Sequence, residues 1–400
     1  MSRGSIFFVC VLLCAFSICF ADDYYWIDSE GGEMGDPTKW DSSAAPGEDD
    51  YVYFSLPNAY TVWLDDSYTH DRLHVEGSDL TLDLNGNYYF LDGTADYNRA
   101  AIIGDTVDSS LTVFGGGIYS GDLFLGRGDS QATGRLNLSG AETFWIGHIN
   151  NDYHGFYYGD QGNAEVSISD GAYLEHGHGS SGIYRSALIT LDGENTTWYV
   201  DGFFGMSKYG NTIVNQTNDA RIQFGYLEMA EFMHSSAEIN VAGIGHHTTE
   251  LAITNYWWDP ISLSIGMGGK AAINLTRSKL YHTGHTAIAL KPGSRGELNI
   301  YNGSWADLQG NVAVGGTLDN PGGKGLIYSG GDLHAANQNE GEYVVVWPNG
   351  SIQADGGEIS LEYSAGSANP IILKGGTLEG WGWIQADVQN ESGIVMPGVT

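Results

Sequence analysis

Apolar and polar residues alternate over short stretches along most of the chain, and each stretch closes on glycine. Leu111-Thr-Val113-Phe-Gly-Gly116, Leu136-Asn-Leu138-Ser-Gly140 and Val166-Ser-Ile168-Ser-Asp-Gly171 are versions of one unit. It returns at Leu188-Ile-Thr-Leu191-Asp-Gly193, Leu298-Asn-Ile300-Tyr-Asn-Gly303 and Leu326-Ile-Tyr-Ser-Gly-Gly331. Period-two alternation puts the apolar side chains on one side of a strand. Recurrence at a few tens of residues marks a solenoid. Strand starts fall near 111, 136, 166, 188, 222, 239, 251, 273, 298 and 326. The cleanest intervals are 22 and 25 residues, and the 34 residues between Leu188 and Ile222 predict an inserted loop.

Second strands lie between these starts and often end in glycine, at Leu123-Phe-Leu-Gly126, Phe144-Trp-Ile-Gly147, Leu263-Ser-Ile-Gly266 and Val312-Ala-Val-Gly315. Two or three strands per unit of about 25 residues predict an all-β fold, a right-handed parallel β-helix. A propeller would repeat nearer 40 residues. The best helical candidate is Tyr226-Leu-Glu-Met-Ala-Glu-Phe-Met233, which also alternates well enough to be a strand.

Three segments follow from this pattern. Residues 1–21 read as a signal peptide, with Arg3 before an apolar run from Ile6 to Phe20 and small residues ending at Ala21. Residues 22–98 read as an N-terminal β cap and first coils, with Trp26, Trp40 and the turn Asn85-Gly-Asn87. Residues 99–400 read as the repeats. The expected location is therefore secreted or at the cell surface, with no transmembrane segment in the mature chain. All three cysteines, Cys10, Cys14 and Cys19, lie in the signal, so the mature chain does without disulfides.

Charge narrows the partners. The chain has 16 Lys and Arg against 49 Asp and Glu, a formal net charge of −33. Such a surface repels nucleic acid and anionic lipid.

The opening Trp26…Trp40…Pro46-Gly-Glu-Asp-Asp50-Tyr-Val52, the Gly-rich repeats and the closing Gly375–Gly380 and Asn390–Gly398 segments resemble secreted bacterial β-helix proteins of the autotransporter-passenger and PEP-CTERM-associated type. In that group more strands and an anchor usually follow the closing Pro-Gly, so the resemblance implies a chain truncated near Thr400. It also implies a surface-attached repeat protein, and fold likeness of this kind transfers no activity.

Candidate chemistry is sparse. The acid pairs Asp22-Asp23, Asp49-Asp50 and Asp65-Asp66 offer hard oxygens for Ca²⁺, the one cofactor the sequence leaves open, yet no basic residue sits beside them in an obvious partner position. Gly177-His178-Gly179 and Arg221-Ile222-Gln223 resemble a polygalacturonase motif, but Gln223 stands where that pattern has lysine. His176 with His178, His246 with His247, and His282 with His285 are spaced for metal chelation, without a third ligand in view. Arg127-Gly-Asp129 matches a short adhesion motif in a chain where glycine and aspartate are common. Asn-x-Ser/Thr occurs at Asn137, Asn195, Asn215, Asn274, Asn302, Asn349 and Asn390, residues that turns and outer strand faces also favour.

Aromatics are the largest surplus, with 24 Tyr, 14 Phe and 11 Trp. Two runs stand in polar contexts, giving Tyr153, Tyr157, Tyr158, Tyr256, Trp257 and Trp258 as candidate carbohydrate-binding residues, since flat rings stack on sugar C–H faces. The competing use of the same rings is cross-strand ladders between coils. The expectation is a non-catalytic structural or adhesive protein with polysaccharide or a cell-surface matrix as partner. The alternative is a polysaccharide lyase or glycoside hydrolase on the same scaffold, which would need a convergent acid–base pair.

Overall fold

The computed structural model describes residues 21–93, 99–129, 131–149, 152–153, 155–244, 249–254, 261–337, 339, 341–364 and 367–398. Residues 1–20, most of the expected signal peptide 1–21 and all three cysteines, lie outside them. The chain forms a parallel β-solenoid. Most coils carry three strands, one on each of three faces.

Face one is a fifteen-stranded parallel sheet from Gly32–Glu33 to Ile394–Pro397. Face two runs from Tyr68–His70 to Trp383–Gln385 and face three from Asp23–Tyr25 to Asp387–Asn390. Thr197–Met206 and Arg221–Met229 pass through faces two and three without interruption, which joins them into one 27-stranded sheet. Among the described residues two local antiparallel strand pairs interrupt the parallel order, Phe144–Ile149 with Asp152–Tyr153 and Glu362–Ser364 with Ser367–Ala368.

Alternation decides which residues fill the interior. On face one Leu80, Leu111, Leu136, Val166, Ile189, Val214, Ile239, Ile273, Leu298, Ile327 and Ile352 stand in register on successive coils, all buried. Coils are stacked at about 4.8 Å, so each inward side chain packs on its counterpart above and below. Leu188 faces out at 40% exposure, and Ile189 takes the inward place in its strand.

The repeat is more regular than the sequence implies. Ile222 and Leu251 pair with each other on face two and do not begin units. The face-one strand between Leu188 and Ile239 is Asn211–Thr217, whose Val214 pairs with Ile189 and Ile239, each 25 residues away. No loop is inserted there. Gln216 masks the strand by taking an inward position that aliphatics hold elsewhere. Its amide nitrogen donates to Ala220 O at 2.6 Å and Glu250 O at 2.8 Å, which offsets part of the cost of burial, while its Oε1 is buried without a hydrogen-bond donor among the described residues. The first half of the helical candidate is strand: Tyr226–Met229 closes the extended segment Arg221–Met229 and alternates outward and inward, and the chain turns after it.

The corner between faces three and one requires left-handed backbone. Gly126 and Gly266 sit there with φ of 63° and 77°. A Cβ on Gly266 would lie 2.3 Å from Arg295 O in the next coil, so both conformation and space call for glycine. Gly147, which ends a similar motif, lies within Phe144–Ile149 and outside this corner. Among the described residues no helix is long and apolar enough to cross a membrane.

Candidate ligand-binding groove

The small repeat residues of face one create a surface depression. Ala164, Ala187, Thr212, Ala237 and Ala271 occupy successive coils at an inward position near the strand starts. Their short side chains form the floor of an open groove of about 740 Å³. Outward residues rise on either side. One column is Asn163, Ser186, Asn211, Ser236, Lys270 and Arg295, and the other is Glu165, Leu188, Ile213, Glu238, Ala272 and Glu297.

The groove carboxylates all have partners. Glu165 takes the Arg135 Nε–H at 2.9 Å, Glu297 takes Arg295 at 2.5 Å, and Glu238 accepts from Asn274 Nδ2 at 3.0 Å. Leu188 and Ile213 put two half-exposed aliphatic side chains at its centre. A third outward column beside it is an amide ladder. Asn240 donates to Asn215 at 3.1 Å, Asn274 to Asn240 at 2.8 Å, and Asn299 to Asn274 at 2.8 Å. Two of the Asn-x-Thr asparagines, Asn215 and Asn274, are thus rungs of this ladder.

The turns that lead into the groove strands carry a second array. Tyr184, Tyr209 and Phe232 precede Ser186, Asn211 and Ser236 on three consecutive coils. Their rings stack in parallel, Tyr184 on Tyr209 at 5.3 Å and 3°, Tyr209 on Phe232 at 4.5 Å and 7°. Tyr184 is 57% exposed and Tyr209 46%. Sequence reading passed over these three. The available signal was an aromatic at the same turn of successive repeats, hidden while Asn211–Thr217 went unrecognised as a strand.

The aromatics singled out from sequence have other places. Tyr158 is a core residue, fully enclosed against His176, Trp198 and Phe204. Alternation turns it inward and offers no ring face to solution, which corrects its reading as a sugar-binding residue. Tyr157, its outward neighbour, stacks on Phe124 of the preceding coil at 4.8 Å, a ladder contact. Tyr153 belongs to the short hairpin strand Asp152–Tyr153. Tyr256, Trp257 and Trp258 lie outside the described residues, as do His246 and His247.

Among the described residues histidine spacing does not build a chelate. His176 points inward while His178 is outward and exposed. His176 Nδ1 faces His178 O at 2.8 Å and its Nε2 faces the Trp198 indole N–H at 3.0 Å. His282 is likewise buried, and burial lowers its pKa to about 4. His285 Nδ1 accepts from Asn311 N at 2.9 Å. Among the described residues no three His, Cys, Asp or Glu side chains are grouped to hold a metal.

The acid pairs act as turn anchors. Asp50 accepts from Asp22 N at 3.0 Å and Gly47 N at 2.7 Å, and Asp65 accepts from Tyr68 Oη at 2.7 Å. Glu76 does the same between coils. Burial opposes its charge, but the nearby His74 ring at 3.6 Å and hydrogen bonds from Thr106 and the Asp105 backbone N–H outweigh it and hold its pKa at about 2. The polygalacturonase-like residues are separated: Arg221 opens a face-two segment and pairs with Glu250 at 3.3 Å, whereas His178 opens a face-three strand. In the Arg-Gly-Asp turn, Gly128 N donates to Asp105 O at 2.8 Å, and Arg127 lies over the Phe124 ring at 5.6 Å. Comparison with family models, curated proteins and solved structures finds no match to this chain.

Proposed function

We infer that the protein is a secreted or cell-surface scaffold that holds polysaccharide along face one without cleaving it. The observation that carries this reading is the groove, where aliphatic, amide and hydroxyl groups repeat at the strand spacing beside a stack of exposed tyrosines. An extended glycan presents hydroxyl edges and apolar ring faces at a comparable repeat, so one polymer can meet several coils in the same way. Solenoids lend themselves to such extended surfaces. Each groove carboxylate is already engaged by a side chain of the protein, which favours holding over hydrolysis. The resemblance to bacterial surface β-helix proteins agrees with this role and with display outside the cell.

The test is incubation of the protein with neutral and acidic polysaccharides, following both retention and polymer length. Retention with unchanged length is expected, and Tyr209→Ala should weaken it about fivefold, the scale of one lost aromatic contact. Shortened polymer would replace this reading with the lyase or hydrolase alternative. Absence of retention across the panel would remove glycan binding altogether.

A further inference from the structure

We propose that the groove is selective for an acidic polysaccharide, one carrying a carboxylate or sulfate on its sugars, which it engages through the column Lys270, Arg295 and Lys324. This rests on the glycan-binding reading above and names the class of polymer.

The three residues pair in register on three consecutive face-one strands, Lys270 with Arg295 and Arg295 with Lys324. All three side chains are exposed. Their backbones are therefore about 4.8 Å apart along the solenoid axis. The chain has only 16 Lys and Arg among 400 residues and a formal charge of −33, so three stacked cations stand against the overall charge. Like charges directly opposite each other on neighbouring strands destabilise a sheet. A bound anion would offset that cost.

Internal partners do not account for the column. Arg295 has Glu297 on its own strand at 2.5 Å. Lys270 and Lys324 form no ion pair among the described residues, although Glu238 and Glu297 stand in the adjacent outward column. Glu238 is turned to Asn274 and Glu297 to Arg295. Lys270 stands toward one end of the groove and Lys324 continues the column one coil past Arg295, both side chains exposed, while Leu188 and Ile213 stand at the middle of the groove and the tyrosine stack lies on the turns beside it. A polymer that offers both anionic groups and sugar rings fits both parts. Nucleic acid also offers both, but its dense phosphate charge meets a strongly acidic protein outside these few residues.

The experiment measures binding of the full chain to polygalacturonate oligomers, to a neutral β-glucan of similar length and to single-stranded DNA. Variants are Lys270→Gln, Lys324→Gln, the double variant, and Lys279→Gln on face two as a charge-matched control. The expected result is preference for polygalacturonate, weakened by added salt. Each lysine of the column removed should cost about tenfold, the scale of one charge-assisted contact. Lys279→Gln should change it little. Glucan binding equal to polygalacturonate binding, or polygalacturonate binding unmoved in the double variant, would overturn the charge selectivity and leave the scaffold reading intact. An equal loss with Lys279→Gln would assign the effect to bulk charge and also overturn it. Preferred binding of DNA would overturn it in favour of another polymer, and binding of none of the three would remove both readings.

Discussion

Trp198 donates its indole N–H to His176 Nε2 across 3.0 Å inside the solenoid, one coil bridging to the next. Both side chains are fully buried. The bond fixes the tautomer of His176. Its Nε2 must carry the lone pair, so Nδ1 holds the proton and donates it to His178 O. The interior of these coils is therefore a polar contact wrapped in rings, with Tyr158, Phe204 and Phe224 around it.

Trp198→Phe keeps an aromatic in place and removes only the donor and part of the ring. It leaves His176 Nε2 buried with the Tyr158 hydroxyl, at 3.4 Å, as its remaining neighbour. An orphaned buried acceptor costs about 1–3 kcal/mol. Urea unfolding of the variant should show a loss of that size. A stability equal to the parent would mean that ring packing, and not the bond, holds these coils together.

Acid should weaken the fold in two stages, and histidine governs the first. Burial holds both His70 and His282 at a pKa of about 4, below the ordinary 6.5. Between pH 6.5 and 4 the unfolded chain takes up protons that the folded chain refuses. The stability these groups contribute is complete above pH 6.5 and is lost as pH falls through 4. Each accounts for on the order of 3 kcal/mol over that window. Glu76, held at about 2, governs a second loss below its ordinary 4.5. Melting temperatures of the parent and His282→Gln at pH 7, 5 and 4 should converge as pH falls. Parallel curves would show that His282 does not titrate against the fold.

Much of the fold was legible because a solenoid writes its geometry into short patterns. Leu111, Leu136 and Val166 stand at the same inward place, and the alternation around them says so. The misreadings occur where a polar residue fills an inward position. Gln216 hid a whole strand, and with it the even spacing of the central coils. The groove was less legible because it depends on register. Lys270, Arg295 and Lys324 are 25 and 29 residues apart and become neighbours only once strand pairing is known. Tyr158 was misplaced for a related reason: in Phe156-Tyr-Tyr158 only the phase of alternation decides which ring faces out.

The amide ladder should be worth most at its middle. Asn274 donates to Asn240 and Glu238 and accepts from Asn299, whereas Asn215 at the end accepts from Asn240 alone. At about 1 kcal/mol for each net bond, Asn274→Ala should lose roughly 3 kcal/mol and Asn215→Ala about a third of that. Equal losses in urea unfolding would show that stability does not follow the number of bonds each rung makes.

The corner between faces three and one allows a test in which opposite exchanges at two equivalent positions have unequal effects. Gly266 and Ala289 hold the same corner on consecutive coils, with φ of 77° and 59°. Ala289 N bonds Ile265 O and Leu290 N bonds Gly266 O, so the two turns are stacked directly. Gly266→Ala would force a methyl to within 2.3 Å of Arg295 O, in a left-handed conformation. Strain and overpacking together should cost roughly 2–4 kcal/mol. The reverse change relieves strain. Ala289→Gly releases about 1 kcal/mol of left-handed penalty and gives up a buried methyl worth about 0.8 kcal/mol, so its stability should stay close to the parent's. Thermal unfolding of both variants checks the pair. If Gly266→Ala is as stable as the parent, the corner is set by the flanking strands, and glycine there serves no conformational need.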